Sequence, residues 1–311
     1  IKKSQIDTSI FLKSRLTISL AFTSCIPLII ILERISDVLS SLFIFIKKRS
    51  CDLLWGKNTE FYPLICFMNR LFIPQKIIEL SSIDSTNSYL VNLSQNIDLD
   101  EGTIIMTNHQ TKGKGQRENS WASEYGKSLC ISMLLKPYLN VSQQFLFNKF
   151  ISLSLCQALL EYNIPAVIKW PNDILINTKK VAGILIENSI QSYEIEKSII
   201  GIGVNISNNI KHIPNATSLN NYLNVIPSQY ELLNIICFKV ESNYELLKKN
   251  PILVNKLYHN NLFKLGEFQK FSKNGELFDG IINSVNDNGQ LLVELNGRLD
   301  LYNNGEIKFM I

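Results

Sequence analysis

Lys169-Trp170-Pro171-Asn172-Asp173-Ile174-Leu175-Ile176-Asn177-Thr178-Lys179-Lys180-Val181-Ala182-Gly183-Ile184-Leu185 is the stretch from which the fold is read. Val167–Trp170 is a short apolar strand, and Pro171 fixes the backbone as the chain leaves it. Asn172 and Asp173 follow at a sharp turn, where both side chains can reach into a cleft. Ile174–Ile176 and Val181–Glu187 flank Asn177-Thr178-Lys179 and read as a hairpin, with Lys180 starting its second strand. A hairpin carrying a solvated lysine pair fits the same residues.

Working outward, Ser128–Leu135 and Glu196–Asn205 read as strands, and Val141–Tyr162 has the best helical periodicity, stopped by Pro165. Lys76–Leu80 and Gly102–Asn108 are further strands, and Asp84 or Ser85 offers an N-cap for a helix through about Ser94. His109–Lys127, with three glycines and little periodicity, is a long loop of the kind that carries function or disorder. Gln229–Leu247 and Pro251–Tyr258 are helical. From Gly266 the character changes to short strands (Gly275–Val285, Gly289–Leu295, Leu299–Tyr302) broken by Asn-Gly turns. That pattern predicts a small SH3-like β-barrel of roughly 45 residues. The fold class is α+β: a mixed β-sheet with helices, then the barrel.

The composition is globular, with 46% hydrophobic and 19% charged residues in 311. Residues 1–67 hold 9 Lys/Arg and 5 Asp/Glu, whereas the remaining 244 residues hold 22 of each. The main body therefore lacks the bulk positive field of a nucleic-acid binder, and an anion must be held by a local site. Six scattered cysteines, none two or three residues from another, and three histidines argue against a zinc site or redox dithiol and suit a reducing compartment. Residues 1–67 look foreign to the rest. The first methionine is Met68, and Leu16–Leu32 is an uncharged run at the short limit for a membrane span. Translated upstream sequence, with a start at Met68, is the expectation. A targeting or anchoring extension and a degraded DNA-binding domain are the alternatives, and no helix-turn-helix pattern supports the last.

Four segments carry chemistry. Asp84-Ser85-Thr86-Asn87 lies at a strand-to-helix junction and by itself reads as a helix cap. Gln110-Thr111-Lys112-Gly113-Lys114-Gly115-Gln116-Arg117, with Trp121 beyond, alternates glycines with cations. Its backbone can approach a phosphate or carboxylate, although it lacks the ending of a P-loop and also fits a flexible basic surface loop. The hairpin above is the third. Gly201-Ile202-Gly203-Val204-Asn205 is a strand whose glycines permit close ligand approach, weak evidence when taken alone.

Together, in this order, the four resemble the catalytic domain of biotin–protein ligases. That family shows Ser-Thr-Asn, a Gln before a Gly-Arg-Gly-Arg-type loop and a Trp, Lys-Trp-Pro-Asn-Asp, Lys-hydrophobic-Ala-Gly-Ile-Leu and Gly-hydrophobic-Gly-hydrophobic-Asn. Asn215-Ala216-Thr217-Ser218-Leu219 also fits, and the resemblance spans about residues 76–309. It looks most like the short form without a DNA-binding domain. The resemblance implies a class II aminoacyl-tRNA synthetase-like catalytic domain over 68–262 and an SH3-like barrel over 263–311. It implies ATP-dependent formation of biotinyl-5′-AMP, with Mg²⁺, and transfer of biotin to a lysine of a biotin carboxyl carrier protein, such as an acetyl-CoA carboxylase subunit. A cytoplasmic location and a homodimer are compatible with it, and no nucleic-acid partner is expected.

The resemblance places Ser85, Thr86, Asn87 and Gln110 around the biotin head, with Gly113, Lys114, Gly115, Gln116, Lys180 and Gly183 completing the biotin site. Lys114, Gly115, Trp121, Lys169, Asn172, Asp173, Lys180 and Asn205 fall on the ATP side, with Trp121 covering the adenine. Lys180, Lys114 and Asp173 are the implied catalytic residues, and the metal comes with ATP rather than in a protein cage. Gln116 stands where many members have Arg, Lys114 replaces a bidentate Arg, and Glu118-Asn119 replace Gly-Arg. A lipoate–protein ligase shares the chemistry, but no Gly-Gly pair exists in this chain. A biotin-sensing transcriptional repressor would need a DNA-reading helix upstream.

Overall fold

The structure, a computed structural model, describes residues 73–117, 119–210 and 213–311. The expectations about residues 1–67 fall outside these. Strands β1 (Lys76–Leu80), β2 (Thr103–Thr107), β3 (Ser128–Leu135), β4 (Leu139–Asn140), β5 (Ala166–Lys169), β6 (Asp173–Ile176), β7 (Lys179–Gln191) and β8 (Glu194–Asn205) form one sheet. Its order is β1-β2-β3-β8-β7-β6-β5, with β4 paired to β8. β1 and β2 run parallel and the other pairs antiparallel, so the sheet is mixed as expected. β7 and β8 are longer than the sequence suggested. They form one hairpin closed by Ser192 and Tyr193, both at positive φ, the geometry that matches strand twist.

Period-two alternation sorts the central strands onto two faces. Ile104, Met106, Leu129, Ile131, Met133, Ile200, Ile202 and Val204 point to the main core. Against that face pack α2 (Gln144–Leu160), α3 (Gln229–Lys249) and α4 (Pro251–Asn260), with Phe147, Phe150 and Tyr244 in ring contact at its centre. A turn of 3-10 helix over Val141–Gln143 precedes α2, where the sequence had been read as helix throughout. The opposite face buries Ile105, Leu134 and Ile199 under Leu90 of α1 (Thr86–Asn96), but only along part of its width. The remainder of that face is left open and forms the floor described below.

The C-terminal segment is a second sheet of β9 (Phe268–Lys273), β10 (Glu276–Val285), β11 (Leu291–Leu295), β12 (Arg298–Tyr302) and β13 (Lys308–Phe309). Its order β12-β11-β10-β9-β13 leaves β12 and β13 as outer strands. This is an open sheet among the described residues rather than the expected closed barrel. The turn after β10 is fastened to the main body at three points. Trp170 Nε1 donates to Gly289 O (2.9 Å), His259 Nε2 accepts from Val285 N (3.0 Å), and Lys149 Nζ donates to Val285 O (2.9 Å).

Lys149 is fully buried and also reaches Asn255 Oδ1 at 2.7 Å. Burial pushes its amine down to about 8, only partly opposed by Asp287. The unfolded chain therefore binds more protons than the folded one between that value and 10.5. This group's contribution to stability rises with pH across that window, by about 3 kcal/mol in all. Wild type is expected to gain on Lys149→Met by that order between pH 8 and 10.5 in parallel urea titrations. A pH-independent difference would refute a buried, discharging amine.

Candidate active site

The floor of the cleft is built by omission of side chains. Across β3, β8 and β7 the register pairs Cys130 with Gly203 and Gly203 with Gly183, then Ser132 with Gly201 and Gly201 with Leu185. Three glycines with Cys130 and Ser132 in two adjacent rows on one face leave a hollow in the middle of a sheet, lined also by Leu185. At its edge, Ser85 caps α1, accepting from Ser88 N, so Thr86 and Asn87 face the floor from the helix's first turn.

A continuous set of neutral donors and acceptors lies there. Thr86 N donates to Gln110 Oε1 at 2.9 Å, and Thr86 Oγ1 donates to the same oxygen at 3.2 Å. Ser132 Oγ donates to Asn87 Oδ1 at 2.5 Å and lies 2.8 Å from Thr86 Oγ1. Asn87 Nδ2 in turn donates to Glu187 Oε2 at 2.8 Å. The carboxylate of Glu187 thus fixes which way the Asn87 amide points. Ser132 and Glu187 were not singled out from the sequence. Their only signal is a polar side chain inside an otherwise apolar strand.

The described loop residues 109–117 and 119–121 close one side. Trp121 N donates to Gly113 O (2.9 Å), Gly115 N to Asn119 O (2.7 Å), and Lys112 N to Asp84 O (2.9 Å), so the glycine loop folds back on itself and is stitched to the entry of α1. A Cβ on Gly113 would lie 2.3 Å from Trp121 O, so the turn requires glycine there. The indole of Trp121 lies on the floor, where a Cβ on Gly203 would come within 2.4 Å of its Cε2. Its Nε1 is buried without a partner. Beneath it, burial pushes the Cys130 thiol up to about 11, so it stays protonated.

Lys180 enters from the other side. A β-bulge inserts Val181 between the pairs Ile174–Ala182 and Leu175–Lys180. Strict alternation would send Lys180 to the core face with Ala182 and Ile184. The extra residue returns it to the face of Gly183, whose Cβ position is 3.1 Å from Lys180 Nζ. Lys180 N donates to Asn215 O (2.7 Å) and Lys180 O accepts from Thr217 N (2.8 Å), so the Asn215–Leu219 segment holds its backbone. Lys180 Nζ is 2.6 Å from Asp173 Oδ1, while Lys169 Nζ is 3.5 Å from Asp173 Oδ2.

The cleft thus brings together Ser85, Thr86, Asn87, Gln110, Lys114, Gly115, Gln116, Trp121, Asn172, Lys180 and Gly183 of the expected set. Gly113, Lys169 and Asp173 do not line it; Asp173 is ion-paired with Lys180, and Lys169 with Asp173. Asn205 is not on the cleft. It is buried at the end of β8, donating to Thr217 O and accepting from Asn208 Nδ2. The amide of Asn172 bonds to the carbonyl of Ile184, bracing the turn after the cis Trp170–Pro171 peptide. Among the described residues no group of three His, Cys, Asp or Glu is placed to hold a metal ion, and no helix is long and apolar enough to cross a membrane.

A cleft with neutral hydrogen-bonding groups at one end, an ammonium at the other and a glycine loop across it can seat a small carboxylate whose other end is polar and uncharged. Residues 79–205 match the biotin/lipoate A/B protein ligase family. The chain is 27% identical over 229 residues to the bifunctional ligase/repressor BirA of Bacillus subtilis, covering 71% of this chain and 70% of that protein. It is 25% identical over 234 residues to the biotin–[acetyl-CoA-carboxylase] ligase of Mycobacterium tuberculosis, covering 72% and 85%. Its fold is similar to that of the biotin protein ligase from Aquifex aeolicus in complex with biotin and ATP. The TM-score is 0.63 at 26% identity, over 76% of this chain and 98% of that one.

Proposed function

We infer that this protein is an ATP-dependent biotin–protein ligase, which forms biotinyl-5′-AMP and transfers biotin to a carrier-protein lysine. The observation that carries the reading is the convergence of the glycine loop and the Lys180 ammonium on one cleft whose far end is lined by neutral polar groups. A ureido head matches Ser85, Thr86, Asn87 and Gln110, because such a group is satisfied without burying a charge.

In the first step a biotin carboxylate oxygen attacks the α-phosphorus of ATP, the bond to the β-phosphate breaks, and pyrophosphate leaves. Two anions must meet, and Lys180 is assigned to hold them, with Lys114 on the loop as the second cation. Asp173, held between two lysines, orients Lys180 rather than acting on substrate. Mg²⁺ is assigned to the nucleotide's phosphates, as the donor set of the cleft offers it no cage. In the second step the carrier lysine's amine attacks the acyl carbon, the bond to AMP breaks, and the amine's proton is lost as the amide forms. Closure of residues 111–121 keeps water from the mixed anhydride.

We assign catalysis to residues 68–262 and an SH3-like accessory role to residues 263–311. The carrier is read as a biotin carboxyl carrier protein of the acetyl-CoA carboxylase kind, the substrate class in the names of two relatives. Incubation with biotin, ATP, Mg²⁺ and a biotin carrier domain is expected to add one biotinyl group to the carrier's intact mass. A carrier of unchanged mass, with lipoate in place of biotin giving the adduct, would overturn the reading.

A further inference from the structure

We propose that the turn Asn303–Glu306 of the C-terminal sheet is a clasp for the glycine loop, with Asn304 and Gly305 as positioning residues for the adenylating step. The inference rests on the ligase reading for its chemistry but not for its geometry. Asn304 Nδ2 donates to Gln116 Oε1 at 2.9 Å, and the Arg117 guanidinium bonds to the Asn304 carbonyl. A Cβ on Gly305, which sits at φ +82°, would strike that guanidinium. The main chain of the turn therefore passes directly against the loop.

The turn is stiff enough to act on what it touches. Asn303 N and Nδ2 both donate to the Glu306 carboxylate, at 3.0 and 2.8 Å, and hold that carboxyl below its ordinary range. Gln290 Nε2 donates to Asn303 Oδ1 at 3.2 Å, tying the turn to the 286–290 turn. That second turn is pinned to the main body by Trp170 and Lys149. A chain of contacts thus runs from the Lys-Trp-Pro-Asn-Asp motif, through the C-terminal sheet, to the loop that borders the cleft. The neutral amide of Gln116 pairs with the Asn304 amide side by side, whereas a cation at that position would stand beside Arg117.

The test is limited trypsin digestion of the full chain, read by mass at Lys112, Lys114 and Arg117, together with biotin kinetics. Asn304→Ala is expected to speed cleavage at these sites about fivefold, the effect of one lost neutral hydrogen bond. Gln116→Ala should do the same, and the double variant should be no faster than either alone. Asn304→Asp, whose carboxylate accepts from a flipped Gln116 amide, should restore protection. In Asn304→Ala the KM for biotin should rise by a similar factor, with kcat at saturating biotin changed less. Cleavage within twofold of wild type, or additive effects in the double variant, overturns the clasp. Absence of acyl-adenylate from wild type would instead remove the ligase reading and leave the digestion result standing.

Discussion

Lys180→Ala is expected to slow pyrophosphate release from ATP and biotin by about 1000-fold, the order lost when a charge-stabilising group is removed from a transition state. Folding should be unaffected. The side chain is 37% exposed, and the backbone bonds to Asn215 and Thr217 do not depend on it. Asp173 keeps Lys169 as a partner, so the change leaves no uncompensated buried carboxylate. Biotin binding measured by calorimetry in the absence of ATP should weaken much less than turnover, because the groups assigned to the biotin head bond to one another and not to Lys180. Wild-type pyrophosphate release in a folded Lys180→Ala protein would remove the residue from the chemistry. A parallel loss of fold would show that it is structural.

The contrast between what the sequence disclosed and what it hid follows from the range of each interaction. Ser128–Leu135, Lys76–Leu80 and the helix capped by Ser85 were legible because apolar runs and capping are local. The four motif segments were legible because their order is a property of the chain. The side on which Lys180 emerges was not. Read by alternation, it shares a face with Ala182 and Ile184, and only the bulge at Val181 turns it to the cleft. Trp121, expected over the adenine, rests on Gly183 and Gly203, a placement decided by the pairing of β7 with β8. Asn205 ends a motif strand yet faces the Asn208–Ser128 network, since the motif records proximity in sequence and not direction. Phe268–Lys273 and Lys308–Phe309 were not read as strands, and β13 exists only through its distant pairing with β9, Lys308 opposite Ser272 and Phe309 opposite Phe271.

The second large effect comes from the floor. A Cβ at Gly201 would sit 2.3 Å from Asn87 Oδ1, closer than any real contact allows, and Asn87 has little room to retreat. Its amide is held by Ser132 on one side and Glu187 on the other, and it is 3% exposed. Gly201→Val must therefore either break both bonds or bend β8 away from β3. Overpacking of this kind costs about 1–3 kcal/mol, and a buried polar group left unpaired costs about as much. Because the displaced Asn87 belongs to the proposed head site, a large share of this should appear as lost affinity. A rise of about 100-fold in the dissociation constant for biotin is expected by calorimetry. Ala at the same position supplies the clashing atom with less bulk and should give a smaller rise of the same kind. Here the defect should lie in binding, while Lys180→Ala binds and fails to react. If both variants bound biotin as tightly as wild type, Asn87 and the floor beneath it would not be where the ligand's head lies.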